Sequence, residues 1–276
     1  EQSAKAEYAT YTTLMAARLD AEFARLGDSL EQLGRRLATC DSPDGATAVA
    51  ELDNWLAAQP EVEGVFFLEL FGPRLERHSG GRLRTPHGGT ITANLSAYVP
   101  GLAGAWRKLP PGRLVLQSAL RGNGQEAILG LRLLGSEKGE SLGVMVAAWS
   151  QREFGQWMVR VQGGETAGAA LLVGADGHNL AETTGDDPQL VRFLNGRLQS
   201  AMDRRLRADG VQVTIVTEPS TGRRILLAQT LVGANEPPLR FVRGQIMPSE
   251  PEMILGTARW RRLISTAVMT LVVSLA

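Results

Sequence analysis

The sequence predicts an α+β fold in which two similar modules, each built on an antiparallel sheet, are stacked along one long amphipathic helix. Three observations predict it. An apolar stripe runs through the first forty residues. Two series of β-rich segments follow, each closing on a three-strand run. The order of elements in the first series then recurs in the second, which marks an internal structural repeat.

The stripe consists of Tyr8, Thr12, Met15, Leu19, Phe23, Leu26, Leu30, Leu33 and Leu37. From Met15 onward the spacing alternates between four and three, so these residues share one face of a continuous helix. Such a helix is about 50 Å long, more than one small domain needs, and it suits two stacked domains or a dimer seam. Asp41-Ser-Pro-Asp-Gly45 ends it, and a second helix over 46–58 is closed by Pro60. Residues 62–70 are β-rich, 71–73 turn, and 74–78 return as a second strand. The Gly-, Thr- and His-rich stretch 79–94 reads as a loop, and a short helix is expected over 95–108.

Strand patterns then arrive at 113–120, 126–134 and 141–150, separated by glycine-containing turns. The second series opens with a short helix over 153–161. A strand at 169–174 leads through Ala175-Asp-Gly177 into 178–183, a helix covers 188–208, and strands follow at 211–217, 224–231 and 239–244. The boundaries expected from this pass are a long helix at 1–44, a first module at 45–152, a second at 153–250 and a terminal helix at 251–276. Leu263 to Ala276 carries no charge and follows Trp260, which is flanked by Arg259, Arg261 and Arg262. We read it as the start of a transmembrane helix with Trp260 at the interface.

Composition removes several function classes. Lys+Arg and Asp+Glu are both 29, so no basic face for nucleic acid is expected. The single cysteine, Cys40, can form neither an intrachain disulfide nor a metal cluster. His78, His87 and His178 show no metal-ligand spacing, and no nucleophile elbow or phosphate-binding loop occurs. Gly122-Asn-Gly124-Gln-Glu-Ala127 fits the letters of a dinucleotide fingerprint but links two strands, so it reads as a hairpin turn. Asp186-Asp187 before Pro188 reads as a helix N-terminus rather than a catalytic carboxylate pair. No metal, cofactor or enzymatic activity is expected of this region.

This layout resembles the double Cache sensor domains of bacterial histidine kinases, chemoreceptors and diguanylate cyclases. The resemblance is carried by the long first helix, 62–70 with its returning strand, Gly112-Arg-Leu-Val-Leu-Gln-Ser118, the strands at 128–133 and 143–149, Phe154-Gly-Gln-Trp157, Gly164, Leu171-Leu-Val-Gly-Ala-Asp-Gly177, and the Arg/Trp-bearing terminal segment. It implies two PAS-like modules, membrane-distal then membrane-proximal, in an extracytoplasmic region of an inner-membrane receptor. It further implies a small ligand, commonly in the distal module, a homodimer through the N-terminal helix, and a kinase, cyclase or chemoreceptor output beyond residue 276. Family members that bind amino acids tend to carry a Trp-Tyr pair before the meander; here Trp106 is followed by Arg107, which argues against an amino acid.

The polar residue that stands out is Arg132, which interrupts an apolar strand. Ile128, Gly130 and Arg132 share one face of that strand, and an unpaired buried charge is costly. Two readings stand side by side: a pocket-lining Arg that would grip a carboxylate or phosphate bidentately, or an Arg on a solvated face. Gln117 and Arg113 share a face of the first meander strand, Tyr98 and Trp106 could form an aromatic wall, and Trp149 ends the third strand. A small molecule is expected to bind the first module, and under the pocket-lining reading of Arg132 it is an organic acid; a ligand-free module that binds a periplasmic partner protein is the alternative.

Overall fold

The computed structural model describes residues 2–40, 42, 45–71, 75–102, 109–110, 112–135, 141–162, 168–174, 177–183, 187–201, 210–232 and 239–247. Helix α1 (Gln2–Leu37) is a single rod of 36 residues. Every residue of the predicted stripe is buried. Thr12 is tolerated inside because its hydroxyl donates to the Tyr8 carbonyl one turn back, at 2.7 Å. Helix α2 (Ala46–Ala58) follows, and Arg84 ties down its end and the chain beyond, donating to Leu56 O, to Gln59 O at 3.2 Å and to Val62 O at 2.9 Å.

The first sheet contains β1 (Gly64–Phe71), β2 (Leu75–Arg84), β3 (Thr90–Thr92), β4 (Leu114–Leu120), β5 (Glu126–Gly135) and β6 (Ser141–Ser150), in the order β3-β2-β1-β6-β5-β4. All its pairs are antiparallel. Helix α4 (Gln151–Val161) leaves β6 through a capping box between Ser150 and Glu153. The second sheet contains β7 (Ala169–Val173), β8 (Asn179–Thr183), β9 (Gln212–Thr217), β10 (Arg224–Val232) and β11 (Leu239–Ile246), in the order β8-β7-β11-β10-β9. Helix α5 (Pro188–Ala201) joins β8 to β9. If β3 is set aside, each sheet runs second strand, first, last, fourth, third of its own module. The repeat read from element order is thus a repeat of topology: two PAS-like modules, α+β, on one helix.

Two segments differ from the sequence expectation. Most of 79–94 is strand rather than loop, because β2 continues to Arg84 and β3 pairs with it. The glycines that suggest a loop are needed by the sheet: Gly81 lies opposite Phe66, and a Cβ there would sit 2.2 Å from the Phe66 ring. Within the helix expected over 95–108, the described residues form α3 (Leu95–Tyr98) and then a 3-10 turn over Pro100–Leu102. Proline has no N–H with which to continue the ladder. Residues 103–108 lie outside the described residues, as do 202–209 and the apolar run after Arg262. Among the described residues no helix is long and apolar enough to cross a membrane.

One core joins the modules. Buried α1 residues from Met15 to Leu37 form a continuous cluster with Ile128, Met145 and Trp149 of the first sheet and Ala170, Leu172, Val232 and Phe241 of the second. At the junction the rings of Phe23, Trp157, Phe154 and Trp149 follow one another at 5.4, 5.2 and 5.4 Å. Nearer its N-terminus, α1 holds the buried Arg243 of β11, whose guanidinium carbon is 5.1 Å from the Tyr8 ring and 4.4 Å from the Tyr11 ring.

Candidate ligand-binding face of the first module

Strand alternation gives the first sheet two apolar faces. One packs on α1 through Val65, Phe67, Leu114, Leu116, Ile128, Met145 and Trp149. The other carries Phe66, Leu68, Leu129, Leu131, Val144 and Val146. Among the described residues, this second face is covered by the segment around α3, which contributes Leu95, Tyr98, Val99, Leu102 and Leu109. Asn94 starts that segment by accepting from the Ser96 N–H at 2.9 Å.

A polar cluster closes one end of the face. Arg121 at the β4–β5 turn makes a two-pronged ion pair with Glu63 at the entry to β1, at 2.7 and 2.5 Å. Its guanidinium carbon lies 5.2 Å from the centre of the Tyr98 ring, which itself sits 5.3 Å from Phe66. The Tyr98 carbonyl also accepts from Gly122 N–H at 3.0 Å. Burial, and then the Glu63 carboxylate, pushes the Tyr98 hydroxyl well above the ordinary phenol range, so it stays protonated and can donate or accept a hydrogen bond. An apolar face with a few convergent polar groups is the usual make-up of a small-molecule site.

The structure brings only part of the predicted set to this face. Tyr98 covers it, and Gln117 sits half-buried on edge strand β4, paired with Leu129. Arg113 is exposed just before β4. Trp106 lies outside the described residues. Trp149 is fully buried on the α1 face, edge-on to Phe154. Arg132 corrects both of its sequence readings, since it lines neither the Tyr98 face nor a solvated one. It is buried against α1, where Nη2 pairs with Glu31 and Nη1 donates to Gly112 O at 2.5 Å. Alternation fixes which residues share its face but not which face meets the helix, and the charge is tolerated there because α1 supplies the counter-charge. Sequence reasoning missed Phe66, Glu63 and Arg121; nothing in the local sequence pairs two residues 58 apart.

Two motif readings resolve as turn and cap. Gly122–Gly124 is the β4–β5 hairpin turn, closed by Arg121 N–H to Gln125 O at 2.8 Å, with Gly124 at φ +78°. Asp187 caps α5, accepting from Gln189 N–H at 2.9 Å and Leu190 N–H at 3.2 Å. The corresponding face of the second module is covered by α5, through Leu190, Val191 and Leu194. Leu194 lies so close to β11 that a Cβ on Gly244 would come within 2.9 Å of it. Among the described residues no group of three or more His, Cys, Asp or Glu could hold a metal.

No family model and no curated protein matches this sequence. Solved structures do match over most of its length. The extracellular domain named for the histidine kinase soHK1S-Z6 aligns with a TM-score of 0.59 at 12% identity, covering 89% of this chain and 95% of that one. The ligand-binding domain of the Pseudomonas aeruginosa PAO1 amino acid chemoreceptor PctC, in complex with GABA, aligns with a TM-score of 0.52 at 16% identity, covering 89% of this chain and 100% of that one. This is the double Cache fold. The Pseudomonas fluorescens chemoreceptor CtaA, in complex with L-leucine, provides a further match, with a TM-score of 0.54 at 16% identity over 87% of this chain and 92% of that domain. In the double Cache arrangement seen here, the α3-covered face belongs to the first module and the α5-covered face to the second.

Proposed function

We propose that this chain is the extracytoplasmic sensing region of a bacterial transmembrane receptor and that it binds a small molecule on the α3-covered face of the first, membrane-distal module. The contrast between the two modules carries this reading. In the second module α5 covers the face; in the first, the described cover is the four-residue α3, a 3-10 turn and Leu109, beside the Arg121–Glu63–Tyr98 cluster. The fold also occurs in domains solved with GABA and with L-leucine. The ligand favoured by Phe66, Leu129, Leu131 and Val146 has a substantial apolar part, with one polar end facing Tyr98 and Gln117. Arg132 does not take part, so the organic acid suggested by that residue gives way to this class. Ligand binding would favour one arrangement of the covering segment and pass the bias to α1, and through flanking helices and a homodimer to an output domain.

The test is thermal unfolding of the 276-residue chain against a panel of L-leucine, GABA, branched organic acids, amines and nucleobases. A ligand at about 100 times its dissociation constant adds about 2.7 kcal/mol. The reading requires a hit that Tyr98→Ala abolishes and that Trp149→Phe, on the other face, retains. Silence across the panel, together with capture of a defined periplasmic protein, would favour the ligand-free interaction module instead.

A further inference from the structure

Resting on the reading of the first module as the sensing module, we infer that Arg132 links the segment covering its candidate face to the long helix. Leu109 packs on the covered face. Three residues later, on the opposite face, the Gly112 carbonyl accepts from Arg132 Nη1 at 2.5 Å. The same guanidinium reaches α1 through Nη2, which pairs with Glu31 and lies 3.8 Å from Asp28. One planar group therefore touches both the end of the covering segment and the helix.

Several features make the link stiff. Pro110, next to Leu109, has its φ locked by its ring. Gly112 sits at φ +71°, a left-handed conformation that a side chain would strain. Gly27 leaves room for the guanidinium on the helix surface; a Cβ there would lie 3.3 Å from Arg132 Nη1. Glu31 is held in turn by Arg35, at 2.8 Å one turn along α1. Arg132 is 8% exposed, so losing either partner leaves a buried charge short of hydrogen bonds. Movement of the covering segment and movement of α1 are thereby tied together. Lysine could not replace it, because a single ammonium lacks the planar fork that serves both partners.

The experiment is amide hydrogen exchange on the full chain, with Leu102→Ala used to loosen the covering segment. Leu102 is buried in that segment and does not belong to the α1 core. In the parent chain Leu102→Ala should speed exchange in α1 residues 27–34 by about tenfold. In the Arg132→Met and Glu31→Ala backgrounds the same substitution should leave those amides unchanged relative to each background. The amides of β6 report whether the module is folded, and Glu31→Ala carries the test should Arg132→Met fail to fold. An α1 response of equal size in both backgrounds, or none in the parent, overturns the link. The sensing reading fails separately, through a silent ligand panel, and a ligand hit does not rescue the link.

Discussion

Gly34 offers the sharpest test of how closely α1 lies against the first sheet. In an open helix, replacing glycine by alanine stabilises by about 1 kcal/mol, because alanine has less backbone freedom to lose. At Gly34 the added methyl would sit 2.4 Å from Leu134 Cδ1 and 2.8 Å from Met145 Cγ. Leu134 is 1% exposed and Met145 is fully buried, so neither can swing into solvent. Overpacking a filled core costs about 1–3 kcal/mol, which offsets the propensity gain and leaves Gly34→Ala destabilised by about 1 kcal/mol. Gly196 in α5 is the control: it is exposed, and a Cβ there meets nothing within 4 Å. Gly196→Ala should stabilise by about 0.5–1 kcal/mol. Urea unfolding measures both as midpoint shifts of opposite sign at constant slope. If Gly34→Ala raised the midpoint as Gly196→Ala does, the helix would not be seated as described and the close-approach argument would fail.

Other expectations follow from single contacts. Trp55 donates its indole N–H to Ser29 Oγ at 2.7 Å while almost buried, so Ser29→Ala should lose about 1–2 kcal/mol in the same unfolding assay and Ser29→Thr distinctly less. Hydrogen bonds from Arg132 and then Arg35 hold the Glu31 carboxyl below its usual range, and those from Arg223 and Thr221 do the same for Glu218. A lowered folded value means that this stabilisation is complete above the unfolded carboxyl value of about 4.3 and is lost as pH falls through the lower folded one. Unfolding midpoints should therefore drop below about pH 4, and Glu31→Gln should make that drop shallower. An equally steep drop in Glu31→Gln would remove Glu31 from the acid-labile set.

Elements whose signal is local were legible in the sequence. The α1 stripe needs only helical periodicity, and every predicted member is buried, Thr12 included. The strands of both meanders and the hairpin at Gly122–Gly124 follow from alternation and turn chemistry. The loop reading of 79–94 failed because glycine is locally a loop signal, whereas at Gly81 it is demanded by Phe66 on the neighbouring strand. The site was less legible for a similar reason. Tyr98 was identified as an aromatic close to the meander, but its partners Arg121 and Glu63 come from positions 58 residues apart.

Thus the sequence by itself determined the α+β class, the long helix, the doubled order of elements and the set of residues sharing each strand face. These depend on the periods of the helix and the strand, which act over a few residues. Only the tertiary structure decided which face meets α1. That choice put Arg132 and Trp149 against the helix and left Phe66 and Leu131 under the α3 segment. Alternation is blind to it, because turning a strand over preserves its pattern. That arrangement uses the counter-charge of Glu31 and the close approach allowed at Gly27 and Gly34, features of another element about one hundred residues away.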